Sequence, residues 1–86
     1  MTRDTLRPVK RSFTIRGHRT SISLEEPFWQ ALKEAAAREH LSLAALIARI
    51  DEARGGAGLS SAVRIWIFDD VRRAAATISY DGGNRD

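Results

Sequence analysis

The chain has 86 residues, no cysteine and a formal net charge of +3. These values predict one small domain without a disulfide or a cysteine metal site, and no apolar run approaches the roughly 20 residues of a membrane span. A cysteine-free chain is compatible with a reducing cytoplasm, which is the expected location. Residues 1–24 carry six basic residues and one acidic residue, whereas residues 25–86 carry eight basic and ten acidic residues. A net charge of +5 on the first segment favours a polyanion-binding element on a nearly neutral body over a solubilising tail.

The N-terminal residues 1–9 are predicted to form a flexible basic arm, because Pro8 disfavours a helix there. A single domain is expected over residues 10–78, followed by a flexible tail over residues 79–86. Within residues 11–16 the apolar side chains alternate with polar ones, which predicts a first strand. The pair Gly17-His18 is a candidate two-residue hairpin turn into the next strand.

Residues 19–24, with the sequence Arg-Thr-Ser-Ile-Ser-Leu, alternate strictly between two faces. Period two is typical of a strand with one buried face. Thr20, Ile22 and Leu24 form that face, and the opposite face is short, hydroxylated and basic. A strand that presents arginine and serine in a row can hydrogen-bond base edges and phosphates. This strand is therefore the candidate nucleic-acid-binding element.

Three helices are predicted after this strand. The first covers about residues 25–39, where two glutamates suit the positive end of the helix dipole. His40 falls where this helix must end, at a position that prefers a left-handed backbone and usually holds glycine, so His40 is expected either to be strained or to lie in a looser turn. The second covers about residues 43–53 after Ser42, a good N-cap residue. The third covers about residues 60–76.

Trp29 lies beside the apolar stripe of the first predicted helix. Large aromatic side chains at such positions usually contribute packing rather than ligand binding. We therefore expect Trp29 to pack against Phe13 or Ile15.

The order of strand, four-turn helix, short turn and second helix over Arg19–Arg54 resembles the ribbon-helix-helix fold of the Arc- and MetJ-like bacterial repressors. Lys10–Ser21 and Leu59–Arg64 are similar to a bacterial subgroup with an added N-terminal segment and a third helix. The resemblance implies a mostly α fold with a short β-ribbon, built as an intertwined homodimer, with an extra C-terminal helix.

In that family two chains pair their strands antiparallel, and the ribbon lies in the major groove of double-stranded DNA. The free amides at the start of the second helix would clamp a phosphate, as expected at a helix N-terminus. The base contacts implied for this chain are Arg19, Ser21 and Ser23. The DNA phosphate contacts are expected to be Lys10, Arg11, Arg16, His18, Ser42, Leu43 and Ala44. The implied dimer core consists of Ile22, Leu24, Phe28, Leu32, Leu46, Ile47 and Ile50.

The upstream strand departs from the simple family pattern and leaves two alternatives. If residues 13–16 pair back on residues 19–24, the sheet of a dimer has four strands, which is wide for a groove of about 12 Å. The ribbon is then used differently. Otherwise the upstream segment swings away as a basic arm.

These observations predict a sequence-specific DNA-binding transcriptional regulator of the repressor type. One alternative is an antitoxin that represses its own operon and holds a toxin or another protein through the third helix. Another is a protein-interaction module that uses the same dimer fold without DNA. No cofactor or metal is expected, because His18 and His40 lie far apart without a cysteine. No enzymatic activity is expected, because nothing supplies a nucleophile elbow or an oxyanion hole.

Overall fold

A computed structural model describes the backbone of residues 7–84 and the side chains of residues 7–76. Most of the predicted arm, residues 1–6, and the end of the predicted tail, residues 85–86, lie outside the described residues. The elements in chain order are β1 (Pro8–Ile15), β2 (His18–Glu25), α1 (Glu26–Arg38), α2 (Leu43–Ala53) and α3 (Leu59–Asn84). The predicted fold class, mostly α with a short β-ribbon and a third helix, is confirmed for the single chain.

The two strands form an antiparallel hairpin that runs from the pair Pro8 and Glu25 to the pair Ile15 and His18. The turn is Arg16-Gly17, and both residues have positive φ angles, 50° and 83°. Two central residues with positive φ match the right-handed twist of the flanking strands. The predicted turn at Gly17-His18 is wrong by one residue, because His18 already pairs across the ladder. The upstream segment therefore pairs back on β2 and does not swing away.

Local signals define the ends of α1 and the start of α2. After α1, His40 adopts a φ of 59°, which is the strained left-handed one of the two alternatives, and the Leu41 N–H donates to the Ala36 carbonyl over 2.9 Å. This hydrogen bond satisfies a terminal carbonyl that has no partner within the helix. At α2, the Ser42 Oγ accepts from the Ala45 N–H over 3.0 Å, so the predicted N-cap is confirmed.

The third helix starts at Leu59 and continues to Asn84, so the predicted end near Ala76 is wrong. The helix continues past Ala76 because Ala74, Ala75 and Ala76 favour helix more strongly than any other residue type. The next glycine, which would disfavour helix, is Gly82. The flexible tail over residues 79–86 stays a prediction. No helix in the described part of the chain combines the length and apolarity that a membrane crossing requires.

The core of the single chain lies between the inner face of the hairpin and the three helices. Its largest fully buried side chains are Ile22, Leu24, Trp29, Leu32, Leu46, Ile47 and Val63. Six of the seven residues expected in a dimer core are buried within one chain, and the seventh, Phe28, is partly buried against them. Their contribution to a shared core stays a prediction.

The predicted packing role of Trp29 is confirmed. Its ring centroid lies 5.9 Å from that of Phe13, and its indole N–H donates to the Val9 carbonyl over 2.9 Å. Trp29 thus ties α1 to β1 and fixes the upstream strand on the domain.

Candidate nucleic-acid interface

The exposed side of the hairpin carries the three predicted base-contacting residues together. Arg19, Ser21 and Ser23 alternate along β2 with the buried Ile22 and Leu24, so they share one face as predicted. Side chains that lie directly opposite each other in an antiparallel pair also share a face. In the register of this hairpin, Thr14 lies opposite Arg19, Ser12 opposite Ser21 and Lys10 opposite Ser23. We call Lys10, Ser12, Thr14, Arg19, Ser21 and Ser23 the outer hairpin face.

The outer hairpin face contains two cations and four hydroxyl groups. The next position of β2 on this side, Glu25, carries a carboxylate that is paired with Arg64. The Oγ atoms of Ser12 and Ser21 lie 3.3 Å apart at its centre, where either can donate. Arginine, lysine and hydroxyl groups can together donate to and accept from base edges and phosphate oxygens. The arrangement therefore suits a polyanion that also presents hydrogen-bonding groups, as the base edges of a nucleic acid do.

A second basic group lies at the hairpin tip. Arg16, His18 and Arg19 line an open cavity of about 680 Å³ together with Arg54 and Asp51. Hydrogen bonds from Arg54 first and from Arg16 second lower the pKa of the Asp51 carboxyl, which stays ionised at neutral pH. The cavity lining contains three arginines and the Asp51 carboxylate, and Glu52 lies beside Arg16, so the arginines still exceed the carboxylates by one. The hairpin tip thus has an excess of basic groups, and the predicted phosphate contacts Arg16 and His18 both lie there.

The cations of the tip are not equally available. Arg16 lies 2.7 Å from an Asp51 oxygen and 3.6 Å from a Glu52 oxygen, so two carboxylates already surround its guanidinium. Arg19 forms no ion pair with the described residues and is exposed. Arg19 is therefore the better placed of the two to bind an external anion.

The other predicted phosphate contacts lie at the N-terminus of α2. Residues 42–44 lie at this end, and no acidic residue occupies the first turn. The amides of a first helical turn have no partner within the helix, and the dipole favours an anion there. The hairpin tip instead lies beside Asp51 and Arg54 at the other end of α2. Because α2 has 11 residues, its two ends are about 16 Å apart. The predicted phosphate contacts thus form two groups at opposite ends of one helix.

The two basic residues expected to act together in β1 lie on opposite faces of the hairpin. Lys10 belongs to the outer hairpin face. Arg11 lies on the other side, with its guanidinium carbon 5.3 Å from the centroid of the Trp29 ring. Such cation–π contacts contribute about 0.5–1 kcal/mol at exposed sites. A phosphate contact by Arg11 stays a prediction, and its structural role is to cover the indole.

Sequence reasoning missed the contribution of Ser12 and Thr14 to this face. The signal was present, because Lys10, Ser12 and Thr14 alternate with the apolar Phe13 and Ile15 in the same period of two as β2. The register, which decides that these residues lie beside those of β2, came only from the folded hairpin.

The free edge of β2 is held by α3 near Ser23. The Ser23 N–H donates to the Ser60 Oγ over 3.3 Å, and Arg64 donates to the Ser23 carbonyl over 3.3 Å. Arg64 also donates to the Glu25 carboxylate over 3.0 Å. The pKa of Glu25 is lowered, first by its own backbone N–H and then by Arg64. This ion pair fixes the start of α3 against the end of β2.

Comparison with known protein families identifies the class of this protein. A family model described as a ribbon-helix-helix domain matches residues 8–71, which include the hairpin, α1, α2 and the first half of α3. The chain belongs to the ribbon-helix-helix family, and the resemblance inferred from the sequence is confirmed. No curated protein and no solved structure gives a significant match to the chain.

Proposed function

We propose that this protein is a DNA-binding transcriptional regulator of the repressor type, which reads its operator through the outer hairpin face in the major groove. The observation that carries the proposal is the largely exposed face of Arg, Lys, Ser and Thr on a ribbon whose opposite face lies in the core. Family membership supports this class of function. Proteins of this family typically bind DNA and are not enzymes.

The chemistry of the three proposed base contacts is unequal. Arg19 suits a forked hydrogen bond to guanine, and a bidentate pair of this kind discriminates against the wrong base by about 1–3 kcal/mol. Ser21 and Ser23 can each donate or accept, so they select less strongly. The amides of residues 42–44 and the cations of the hairpin tip are proposed to hold phosphates. Sequence preference should therefore be strongest at the base pair that Arg19 contacts.

We also propose that the protein acts as a homodimer, as members of this family typically do. Three apolar side chains on α3 support a protein-binding surface, since Ile65, Phe68 and Val71 are 59%, 58% and 52% exposed. A symmetric dimer would read a DNA site whose two halves are related by the same two-fold symmetry.

The test is binding of the purified protein to its own upstream DNA and to a scrambled duplex, each at several salt concentrations. We expect tighter binding to the native duplex and a steep salt dependence. Arg19→Ala should weaken binding to the native duplex by about 5- to 150-fold, the equivalent of about 1–3 kcal/mol. Lys10→Ala should lower the salt slope by about one if Lys10 neutralises a phosphate.

Arg72→Ala is the matched control, because it removes the same charge from α3 and away from the hairpin. It should change affinity for the native duplex less than twofold. If Arg19→Ala and Ser21→Ala both bind the native duplex like the unmodified protein, the hairpin is not the reader.

An antitoxin is the second candidate function. The exposed apolar residues of α3 favour it, because such a face suits a protein partner. Co-purification of a small protein encoded beside this gene would support this candidate. A co-purified partner without any DNA binding at low salt would instead favour an interaction module.

A further inference from the structure

We propose that Arg64 of α3 is a positioning residue for DNA binding: it neutralises Glu25, the carboxylate next to the outer hairpin face, and thereby leaves Lys10 available for a phosphate. This inference rests on the proposed function and names a residue outside the ribbon on which the affinity for DNA depends. Arg64 acts through the charge that this end of the ribbon presents, without a DNA contact of its own.

Glu25 lies on the same side of the hairpin as Ser23 and Lys10. The register pairs Ser23 with Lys10 and Glu25 with Pro8. Glu25 therefore follows Ser23 on this side, about 6.8 Å further along the strand. Lys10 is its diagonal neighbour across the ladder, at a distance that long side chains can bridge. An unpaired carboxylate at this position would lie beside residues that are proposed to contact DNA.

Arg64 binds both oxygens of this carboxylate. Its Nη2 atom lies 3.0 Å from the Glu25 Oε1 and 3.3 Å from the Oε2, and its Nε donates to the Oε1 over 3.2 Å. The two side chains are only 34% and 27% exposed, so solvent screens this pair less than one on the open surface. The pKa of Glu25 is lowered, first by its own backbone N–H and then by Arg64, so the carboxylate is ionised at neutral pH. Loss of Arg64 would leave a full negative charge at the end of the ribbon.

Two further contacts hold the Arg64 guanidinium in place. It donates to the Ser23 carbonyl over 3.3 Å, and its central carbon lies 5.9 Å from the centroid of the Phe28 ring. The preceding residue, Val63, is fully buried and anchors this turn of α3 in the core. Arg64 is therefore fixed beside Glu25 before any DNA is bound.

Helix capping does not account for the carboxylate of Glu25. Glu25 is the N-cap residue of α1, but its side chain forms no capping hydrogen bond. Its carboxylate accepts from Arg64 instead. The substitution Glu25→Gln therefore removes the charge without removing a helix cap, which makes it suitable for a test.

Lys10 is the cation that this arrangement leaves available. It is exposed and forms no ion pair with the described residues. Without Arg64, the Glu25 carboxylate would attract the Lys10 ammonium and would repel nearby phosphates. Both effects should weaken binding to any duplex, because phosphate contacts carry no sequence information.

The test compares two substitutions that break the same ion pair but change the charge in opposite directions. Arg64→Gln should weaken binding to the native and the scrambled duplex alike, by about 3- to 10-fold at low salt, and should lower the salt slope by about one. Glu25→Gln should bind both duplexes at least as tightly as the unmodified protein. The double variant E25Q/R64Q should recover the affinity of the unmodified protein to within about twofold. Arg64→Lys keeps the charge and should retain most of the affinity.

Ser60→Ala and Arg72→Gln are the matched controls. Ser60→Ala removes the hydrogen bond between α3 and the Ser23 N–H without changing the charge. Arg72→Gln removes a charge from an exposed position of α3 without uncovering Glu25. Each should change the affinity less than twofold. If Arg64→Gln and Glu25→Gln both weaken binding, or if the double variant binds as weakly as Arg64→Gln, the ion pair acts only by holding the structure together and the inference is overturned.

The outcomes separate this inference from the proposed function. If Arg19→Ala removes the preference for the native duplex while Arg64→Gln binds like the unmodified protein, the inference fails and the proposed function stands. If the unmodified protein binds neither duplex at low salt, both fail. Thermal unfolding of each variant confirms that it is folded at the temperature of the binding assay.

Discussion

The substitution Val63→Ala tests whether α3 is an integral part of the domain core. Val63 is fully buried on α3. The two methylene equivalents removed cost about 1.6 kcal/mol in transfer free energy, and the higher helix propensity of alanine offsets about 0.5 kcal/mol of this. A residual cavity of up to about 50 Å³ adds at most about 1.2 kcal/mol at 24 cal/mol per Å³. The free energy of unfolding should therefore fall by about 1–2 kcal/mol.

The assay is urea unfolding followed by tryptophan fluorescence, at two protein concentrations so that any dimer dissociation is detected. The melting temperature should fall by about 4–8 °C per kcal/mol for a domain of this size. Ser61→Ala is the control, since Ser61 lies on the same helix but is exposed and outside the apolar surface of Ile65, Phe68 and Val71. It should change stability by less than about 0.5 kcal/mol. Equal effects of the two substitutions would refute the packing of α3 on the core.

Three further predictions concern the α2 cap, the hairpin turn and the hairpin-tip ion pairs. Ser42→Ala should cost about 1 kcal/mol in urea unfolding, because the Ala45 N–H loses its capping oxygen; an unchanged free energy would contradict that role. Gly17→Ala should cost about 1–2 kcal/mol by the same measurement, because its φ of 83° is strained for a residue with a Cβ. A Cβ at this position would meet no atom within 4 Å, so the cost comes from the backbone conformation and not from a steric clash. The lowered pKa of Asp51 means that its contribution to stability is present above its ordinary value near 3.8 and is lost as pH falls through the lower folded value. Asp51→Asn should accordingly flatten the acid limb of a plot of stability against pH, and an unaltered limb would show that its pairing with Arg54 is inconsequential.

Local features of the fold could be predicted because their causes lie within a few residues. Alternation over residues 19–24 predicted which face of β2 is buried. Ser42 marked the start of α2, and the left-handed conformation of His40 followed from its place after α1. The turn was missed by one residue because Arg16 adopts a positive φ, which side chains with a Cβ rarely do. The hairpin imposes this conformation on Arg16 through pairing on both sides of it.

The sequence by itself therefore determined the elements, the faces of the strands and the basic character of the outer hairpin face. Only the tertiary structure decided what lies at the edge of β2. The hydrogen bonds from Ser23 to Ser60 and from Arg64 to Ser23 join residues 37 and 41 positions apart, and the pair of Arg16 and Asp51 spans 35. Periodicity along a strand specifies the direction of its side chains, but its backbone groups can pair with any segment that packing brings to the edge. In this chain packing brings α3 to the edge of β2 at Ser23, although no pattern along β2 indicates this contact.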